Sequence, residues 1–265
     1  MLVIATPSET SDGARRLFSA AQELGVAVRY ALVGASDASK LLDDADALIV
    51  RVGPKSASQY APVIDRMMNE ANKRVVQDSL TAFDKCRSYE LLDAHGVPQP
   101  SSVVIKNNGE PPFLPGVLKV ARGNQGRGVS LVQDADTYRR TLAEYLVQGE
   151  CLYQRYIPES NGCDKRLIVC DGTVVVAMSR QAAHGDFRAN LHLGGSASAY
   201  IPTDREREIA CEAVRVLGLR FGGVDIIDSH DGPLVLEVNP SPGLRISDIT
   251  GVDVATAIVK AVIKE

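Results

Sequence analysis

Two apolar segments near the end of the chain carry polar residues that could bind a metal ion. Residues 223–227 contain Asp225, and residues 234–239 contain Glu237 and Asn239. Because residues two apart in a strand share a face, Glu237 and Asn239 point the same way. A buried carboxylate is costly unless it is paired or binds a cation, and carboxylate and amide oxygens are ligands that Mg²⁺ prefers. The two segments therefore predict a magnesium site.

A turn signal separates the two segments. Ser229-His230-Asp231-Gly232 is typical of a β-hairpin turn and would bring Asp225 beside Glu237 and Asn239. The alternative is a hairpin that carries polar residues on its solvent face, which is common in proteins.

The composition is that of an ordinary globular protein. The chain has 265 residues, 45% of them hydrophobic and 23% charged, with a net charge of −4. No basic block marks a nucleic-acid surface, so we expect no nucleic-acid partner. No segment approaches the length of a membrane span, and the first residues are too short and uncharged for a signal peptide. We expect a cytoplasmic protein without membrane contact.

The cysteines predict reduced thiols. Their number is odd, no CxxC pair occurs, and most neighbours are apolar, which favours buried thiols over disulfides or a zinc site. The five are Cys86, Cys151, Cys163, Cys170 and Cys211.

The first 78 residues alternate between strand and helix patterns and predict a small Rossmann-like α/β domain. In its parallel sheet Arg51 would lie at the carboxyl end of a strand, the edge where such sheets bind ligands. A helix is expected after the first strand, closed by Gly25. The predicted strands are Leu2–Thr6, Val26–Leu32 and Ala47–Val52, and a further helix is expected around Tyr60–Met68.

The rest of the chain predicts a mixed α and β region. A helix capped by Ser79 is expected over Leu80–His95. Further helices are expected from about Asp134 to Leu146, at Asp204–Leu217 and at Val252–Lys264. Strands are expected at Ser102–Ile105, Val117–Val120, Val129–Val132, Cys151–Tyr156, Cys163–Cys170 and Thr173–Arg180.

A glycine-rich segment follows the strand that contains Lys119. Gly123, Gly126 and Gly128 permit close backbone approach to phosphate oxygens. No GK[ST] follows and the next segment is a strand, so neither a Walker loop nor a dinucleotide fingerprint fits. By itself the segment is typical of a plain hairpin turn, with a mobile flap over phosphates as the alternative.

The order of these features resembles the ATP-grasp superfamily, specifically the RimK-type carboxylate-amine ligases that include alpha-L-glutamate ligases. The resemblance runs from about Asp84 to the C-terminus. Three segments carry it most specifically: Gly162–Arg166, Gly185–His192 and Asn239–Leu244.

The resemblance implies an ATP-grasp fold behind the N-terminal domain. Two α+β subdomains, residues 79–150 with the flap and 151–265 with the metal site, would close on ATP. It also implies a homo-oligomer, a dimer or tetramer.

The resemblance assigns roles to individual residues. Lys85 and Lys119 would hold phosphates, Arg155 and Tyr156 would meet the adenine, Asp164 the ribose, and Asp225, Glu237 and Asn239 would bind Mg²⁺, with Mn²⁺ as a substitute. The flap residues would be Gly123, Gln125, Gly126 and Gly128, and Arg180, Arg188 and Asn190 would be catalytic, with Arg188 and Asn190 also contacting the nucleotide.

The implied reaction is an ATP-dependent ligation. A carboxylate attacks the γ-phosphate to give an acylphosphate, and an amine then displaces phosphate to form an amide. The implied substrates are an amino acid such as glutamate and a peptide, protein or small carrier. Alternatives are a nucleotide-binding protein without turnover, which the intact metal residues disfavour, and an ATP-grasp enzyme of another reaction type, which Arg188 to Asn190 disfavour.

Two positions depart from the family pattern. Arg155 stands where relatives usually have an acid, but backbone groups would still meet the adenine. Arg245 lies where the family often has an acid, and this cation would suit a substrate carboxylate. If Arg245 does not contact the substrate, the region around Arg51 is the other candidate for the acceptor site.

Overall fold

A computed structural model of the chain describes residues 1–34, 45–53, 79–123, 128–184, 186–189 and 194–264. These ranges contain three β-sheets and several helices, so the predicted α/β class is confirmed. The helix expected around Tyr60–Met68 lies outside the described residues. No helix within the described ranges is long and apolar enough to cross a bilayer.

The N-terminal sheet is parallel, with strand order β2-β1-β3. All side chains of its central strand are buried, as expected for a parallel sheet covered on both faces. Helix α1 ends just before Gly25, whose φ of +70° suits glycine. The elements are β1 (Leu2–Thr6), α1 (Asp12–Glu23), β2 (Val28–Leu32) and β3 (Ala47–Val50).

The second sheet is antiparallel, in the order β4-β7-β5-β6. The glycine-rich segment joins β5 to β6, which confirms that it lies between two strands. At Gly128 a side chain would collide with Val120, since a Cβ there would lie 2.4 Å from Val120 Cγ2. The elements are β4 (Ser102–Ile105), β5 (Gly116–Val120), β6 (Val129–Val132), α4 (Ala135–Leu146) and β7 (Cys151–Arg155).

The helix predicted over Leu80–His95 is wrong in one respect, because it is broken at Asp84. Two helices replace it, α2 (Ser79–Phe83) and α3 (Lys85–Ala94). The Asp84 side chain accepts hydrogen bonds from the backbone N–H groups of Cys86 and Arg87 and so caps the N-terminus of α3. Asp84, not Ser79, is therefore the cap, and Lys85 stands in the first turn of α3.

The third sheet is antiparallel, in the order β10-β9-β8-β11-β12. A tight turn at Asp171 and Gly172, both with positive φ, joins β8 to β9 as predicted. Strand β10 and helix α6 were not predicted. The elements are β8 (Cys163–Cys170), β9 (Thr173–Gln181), β10 (Ser196–Ala199), α5 (Asp204–Val216), β11 (Phe221–Ser229), β12 (Gly232–Asn239), α6 (Ile246–Thr250) and α7 (Val254–Ile263), with a short 3₁₀ turn at Pro158–Ser160.

The closing helix α7 joins the first sheet to the third. It packs against α1 and β3 on one side and against β8 and β9 on the other. One apolar core accordingly contains Leu17 of α1, Ile168 of β8 and Ile258 of α7. This shared core places the carboxyl edge of the N-terminal sheet beside the end of β12.

Candidate active site

A cleft of about 480 Å³ lies where the three sheets face one another. Both cationic and acidic side chains line it, and several of them are buried. The charged lining residues are Arg51, Lys85, Lys119, Arg155, Asp164, Arg166, Arg180, Arg188, Asp225 and Glu237.

The predicted hairpin forms one wall of the cleft. Counting outward from the turn pair Ser229 and Gly232, a regular hairpin would place Asp225 opposite Leu236. A one-residue shift between Asp225 and Ile226 instead pairs Asp225 with Glu237. This β-bulge puts both carboxylates on one face of the sheet.

The hairpin side chains are in contact with each other and with cations. The Asn239 Nδ2 group donates to Glu237 Oε1 at 3.1 Å, and the Lys85 ammonium donates to Glu237 Oε2 at 2.9 Å. Burial opposes ionisation of Glu237, but the charge and hydrogen bond of Lys85, together with Lys119, hold its pKa well below the usual range. Glu237 is therefore an anion at neutral pH.

Asp225 and Asp164 are bridged by arginines from neighbouring strands. Arg166 grips Asp225 with two hydrogen bonds of 2.7 and 2.6 Å. Arg180 grips Asp164 with two bonds of 2.6 Å and also reaches Asp225 at 2.9 Å. The side chains of Arg180, Asp164 and Asp225 are only 7%, 8% and 4% exposed, so these pairs are shielded from solvent.

The charges within this cluster shift each other's ionisation. Burial and the nearby Asp225 charge raise the pKa of Asp164. Burial opposes the charge of Arg180, but Asp225 and Asp164 together raise its pKa above the ordinary arginine value. Arg180 is therefore a permanent cation between two buried acids.

Arg166 was missed as a site residue by the sequence prediction. Its position two residues after Asp164 on β8 puts both side chains on one face of the strand. That alternation was the available signal. The partner could not be identified from it, because β8 pairs with β11 only in the folded sheet.

The two predicted phosphate-binding lysines face the same cleft. The Lys119 ammonium donates to Gln154 Oε1 at 2.6 Å. Burial lowers the pKa of Lys119 to about 8. The Lys85 ammonium also donates to the carbonyl oxygen of Gly123, 3.4 Å away at the start of the glycine segment. The structure thus brings Lys85, Lys119 and the base of the predicted flap together.

The hairpin fits a divalent cation. Two carboxylate groups, one of them held strongly ionised, and an amide oxygen lie on one wall of the cleft, and such oxygen donors suit Mg²⁺. Asp225, Glu237 and Asn239 are the residues that could hold it.

The predicted catalytic arginine Arg188 also lines the cleft. Its guanidinium donates to Asp186 at 3.0 and 2.8 Å, and both side chains are partly exposed. The neighbouring Phe187 ring meets the Tyr156 ring edge-on at 6.3 Å. Residues 186–189 therefore pack beside the predicted hinge.

The hinge cation Arg155 ends strand β7. Its guanidinium lies 4.6 Å from the centre of the Phe113 ring, and its backbone N–H donates to the carbonyl oxygen of Ser101 at 2.8 Å. Of the remaining predicted site residues, Gln125, Gly126 and Asn190 lie outside the described residues.

The two candidate substrate cations differ in position. Arg245 is exposed at the beginning of α6 and is not among the described residues that line the cleft. Arg51 follows β3 at the carboxyl edge of the N-terminal sheet, as predicted, and does line the cleft. Of these two cations only Arg51 lines the described cleft, so the expectation that Arg245 contacts the substrate stays a prediction.

Solved structures with a similar fold include ATP-grasp ligases. The chain is similar to D-cycloserine synthetase DcsG, with a TM-score of 0.77, 20% identity, and 98% of this chain and 97% of that one covered. It is also similar to the ATP-grasp ligase PsnB complexed with a phosphomimetic variant of its minimal precursor, Mg and ADP, with a TM-score of 0.70, 18% identity, and 98% and 96% covered. The fold is the ATP-grasp fold.

Sequence similarity narrows the class to one family. The model of the RimK-like ATP-grasp domain matches residues 82–262. A probable alpha-L-glutamate ligase from Xanthomonas euvesicatoria pv. vesicatoria is 38% identical, over 93% of this chain and 91% of that protein. The chain belongs to the RimK-like ATP-grasp family and is an ATP-dependent ligase, which confirms the resemblance found in the sequence.

We expect the buried Lys119 to make the free energy of unfolding depend on pH in the alkaline range. Its pKa is about 8 in the folded chain, against 10.5 for an ordinary lysine. Between these values the unfolded chain binds the proton and the folded chain does not, so this group makes the free energy of unfolding rise with pH. Below pH 8 the charge of Lys119 lowers the free energy of unfolding by roughly 3 kcal/mol, and this loss disappears by about pH 10.5.

Urea unfolding of wild type and Lys119→Met at several pH values would test this. The free energy of unfolding of wild type minus that of the variant should increase between pH 8 and 10. A difference that stays constant over this range would contradict the lowered pKa. Taking the difference removes the contribution of other groups that titrate at high pH.

We expect Asp84 to position Lys85 and the base of the predicted flap. Its Oδ1 atom caps α3, and its Oδ2 atom accepts from Arg122 Nε at 3.3 Å. Asp84→Ala should lower the free energy of unfolding by about 1–2 kcal/mol through loss of the cap and raise the KM for ATP. Asp84→Asn keeps a capping oxygen, so it should restore stability more than ATP affinity. Equal recovery of both properties would limit Asp84 to capping.

Proposed function

We propose that the protein is a carboxylate-amine ligase that forms an amide bond through an acylphosphate, adding an amino acid such as glutamate to a peptide, protein or small carrier. The observation that carries this proposal is the hairpin pair of Asp225 and Glu237, which faces Lys85 and Lys119 across one cleft. Oxygen ligands and phosphate-binding cations are thus adjacent, as phosphoryl transfer requires.

The chemistry requires two anions to meet. A substrate carboxylate oxygen attacks the γ-phosphorus of ATP, and ADP leaves with the electrons of the broken bond. An amine nitrogen then attacks the acyl carbon, phosphate leaves, and the nitrogen loses a proton. Mg²⁺ bound by Asp225, Glu237 and Asn239 would neutralise phosphate charge during the first step.

Cationic side chains of the protein would neutralise the rest of the negative charge on the phosphates and the acyl group. Lys85 and Lys119 would bind phosphates, and burial makes their interaction with a polyanion stronger than in water. Arg188 is partly exposed beside the cleft, and in this proposal its guanidinium exchanges Asp186 for a phosphoryl or acyl oxygen. Arg180 would act mainly by holding Asp164 and Asp225 in place.

The nucleotide would lie along the second sheet. We propose that Arg155 and Tyr156 meet the adenine, that Asp164 contacts the ribose, and that the segment from Gly123 to Gly128 covers the phosphates. Gln125, Gly126, Arg188 and Asn190 complete the proposed nucleotide contacts, and Asn190 also belongs to the proposed catalytic set.

The relatives favour amino-acid and peptide substrates. The Xanthomonas relative is named a probable alpha-L-glutamate ligase, and the PsnB structure contains a precursor variant with Mg and ADP. These names support glutamate as the first amino acid to test and a peptide as the first acceptor.

The function is tested by ADP release in a panel of amino acids and short peptides, with product masses determined in parallel. The proposal requires ADP and a new amide in equal amounts. Adding hydroxylamine in place of the amine should trap the acylphosphate as a hydroxamate. ATP binding without ADP release would favour a nucleotide-binding protein, and ADP release without an amide product would favour another reaction type.

A further inference from the structure

One cation of the cleft contacts a backbone carbonyl oxygen and, among the described residues, no carboxylate. Arg51 extends from the end of β3, and its Nη1 group donates to the carbonyl oxygen of Pro242 at 3.0 Å. Pro242 belongs to the loop between Asn239 and α6, and Ser241 and Gly243 of that loop also line the cleft. The guanidinium therefore lies between the N-terminal sheet and the loop that follows the metal hairpin.

The local packing leaves room for this guanidinium. A Cβ atom at Gly13 would lie only 2.4 Å from Arg51 Nη2. Gly13 stands in the first turn of α1, where glycine is a poor helix former. The absence of a side chain at Gly13 thus lets the Arg51 guanidinium approach the beginning of α1 closely, beside the cleft.

The charge of Arg51 is not balanced within the described chain. Arg166, Arg180 and Arg188 each form an ion pair with an aspartate. In the ranges that the structure describes, no carboxylate lies within ion-pair distance of Arg51, and Asp12 acts on it only at longer range. Burial lowers the pKa of Arg51 to about 10, so it is still a cation at neutral pH.

A partly buried cation in a ligand cleft is stabilised when the ligand supplies the anion. The proposed phosphate-binding groups, Lys85 and Lys119, come from α3 and β5, whereas Arg51 comes from the N-terminal sheet. The anion at Arg51 is thus expected to belong to the second substrate. Since a planar guanidinium matches a carboxylate with two parallel hydrogen bonds, a carboxylate is the group that fits.

On the basis of the proposed ligase function, we propose that Arg51 binds a carboxylate of the amino-acid substrate that is not consumed in the reaction. The side chain would select amino acids that keep a free carboxylate when their amine reacts. Glutamate has two carboxylates, and either one offers the same chemistry to the guanidinium.

Equilibrium binding tests this without requiring turnover. Calorimetry would measure binding of L-glutamate, its α-amide isoglutamine and its γ-amide glutamine to protein saturated with Mg²⁺ and a non-hydrolysable ATP analogue. Wild type should bind glutamate and lose roughly 10-fold or more in affinity for one of the two amides, as expected for a lost hydrogen bond to a charged group. The amide that binds weakly identifies the carboxylate.

Arg51→Met should weaken glutamate binding by a similar factor and leave binding of the weak amide unchanged, so that the preference disappears. Gly13→Ala should have the same effect because its methyl group displaces the guanidinium. Arg245→Met is the matched control and should behave as wild type. Binding of the ATP analogue should be the same in all four proteins.

Three results would overturn the proposal. The first is an Arg51→Met variant that keeps the wild-type preference for a free carboxylate. The second is an equal loss of affinity for all three ligands in that variant, since this would show that Arg51 only holds the Pro242 loop. Wild type that binds none of the three ligands would also exclude the site. The ADP-release panel is separate, so a failed ligase assay with intact Arg51-dependent binding would remove the proposed function and not this site.

Discussion

Glu237→Gln should nearly abolish amino-acid-dependent ADP formation while the protein stays folded. The substitution keeps the shape of the side chain but removes one of the two hairpin carboxylates that face the cleft, together with the charge that pairs with Lys85. Charge stabilisation of a phosphoryl group would then fall, and we expect turnover to drop by about 10³-fold, at the upper end for loss of one electrostatic contact.

The same hairpin provides a control for Glu237. Asp228 is exposed on β11 and pairs with Lys165, which also has Glu206 as a partner. Asp228→Asn should therefore leave turnover close to wild type. Circular dichroism and thermal unfolding would show that both variants are folded. Turnover in Glu237→Gln within a few-fold of wild type would remove this carboxylate from the mechanism.

Arg180→Met should have the largest effect on stability. Arg180 is the cation that bridges Asp164 and Asp225, and all three side chains are buried. Its removal leaves Asp164 without its two hydrogen bonds and close to a second negative charge. Breaking a buried pair in this way costs about 3–5 kcal/mol of unfolding free energy, and activity should be lost with the ordered cleft.

The stability loss of Arg180→Met should depend on pH because Asp164 titrates. Without Arg180 the pKa of Asp164 is raised further above its unfolded value, so the folded variant takes up a proton more readily than the unfolded chain. The loss of stability should therefore be full at neutral pH and shrink as the pH falls and Asp164 becomes neutral. Urea unfolding at neutral and mildly acidic pH would measure this change.

Arg188→Met is the matched comparison for Arg180→Met. Arg188 and Asp186 are 31% and 22% exposed, and such partly solvated pairs contribute about 1 kcal/mol or less. Arg188→Met should therefore unfold almost as wild type does but lose turnover. If both arginine variants lost similar amounts of stability, burial of the Arg180 cluster would not explain its energetics.

Much of the fold followed from local rules in the sequence. Strand alternation put Glu237 and Asn239 on one face, and turn residues predicted both the Asp171 hairpin and the metal hairpin. The glycine segment was correctly placed between two strands. These features depend on backbone preferences and on neighbours a few residues away, which a sequence states directly.

The helix break at Asp84 shows where local rules give competing answers. The apolar pattern favoured one helix from Leu80 to His95, whereas Asp84 is also a strong capping residue. The fold uses the cap: Lys85 N–H donates to the carbonyl oxygen of Ala121, at the end of β5. That contact with a distant strand favours a new helix over a continuous one.

The charge pairs of the site were decided by register. From the Asp171 turn outward, a regular hairpin would set Asp164 opposite Ser179, but an irregularity between Ile168 and Val169 sets it opposite Arg180. Each shift by one residue moves a side chain to the other face of its strand. The sequence identified Asp164 and Asp225 as site residues, but the two strand irregularities determined which residues lie opposite them.

The sequence by itself determined the class of enzyme and most of the residues that face the cleft through its resemblance to a known family. It determined the hairpins and the position of the glycine segment through periodicity and turn chemistry, which are local properties. Only the tertiary structure decided that Arg166 holds Asp225, that Arg245 lies outside the cleft, and that Arg51 reaches Pro242, 191 residues away along the chain. The physical reason is that sheet order, strand register and the packing of α7 between two sheets arise from contacts between distant segments, which no local pattern specifies.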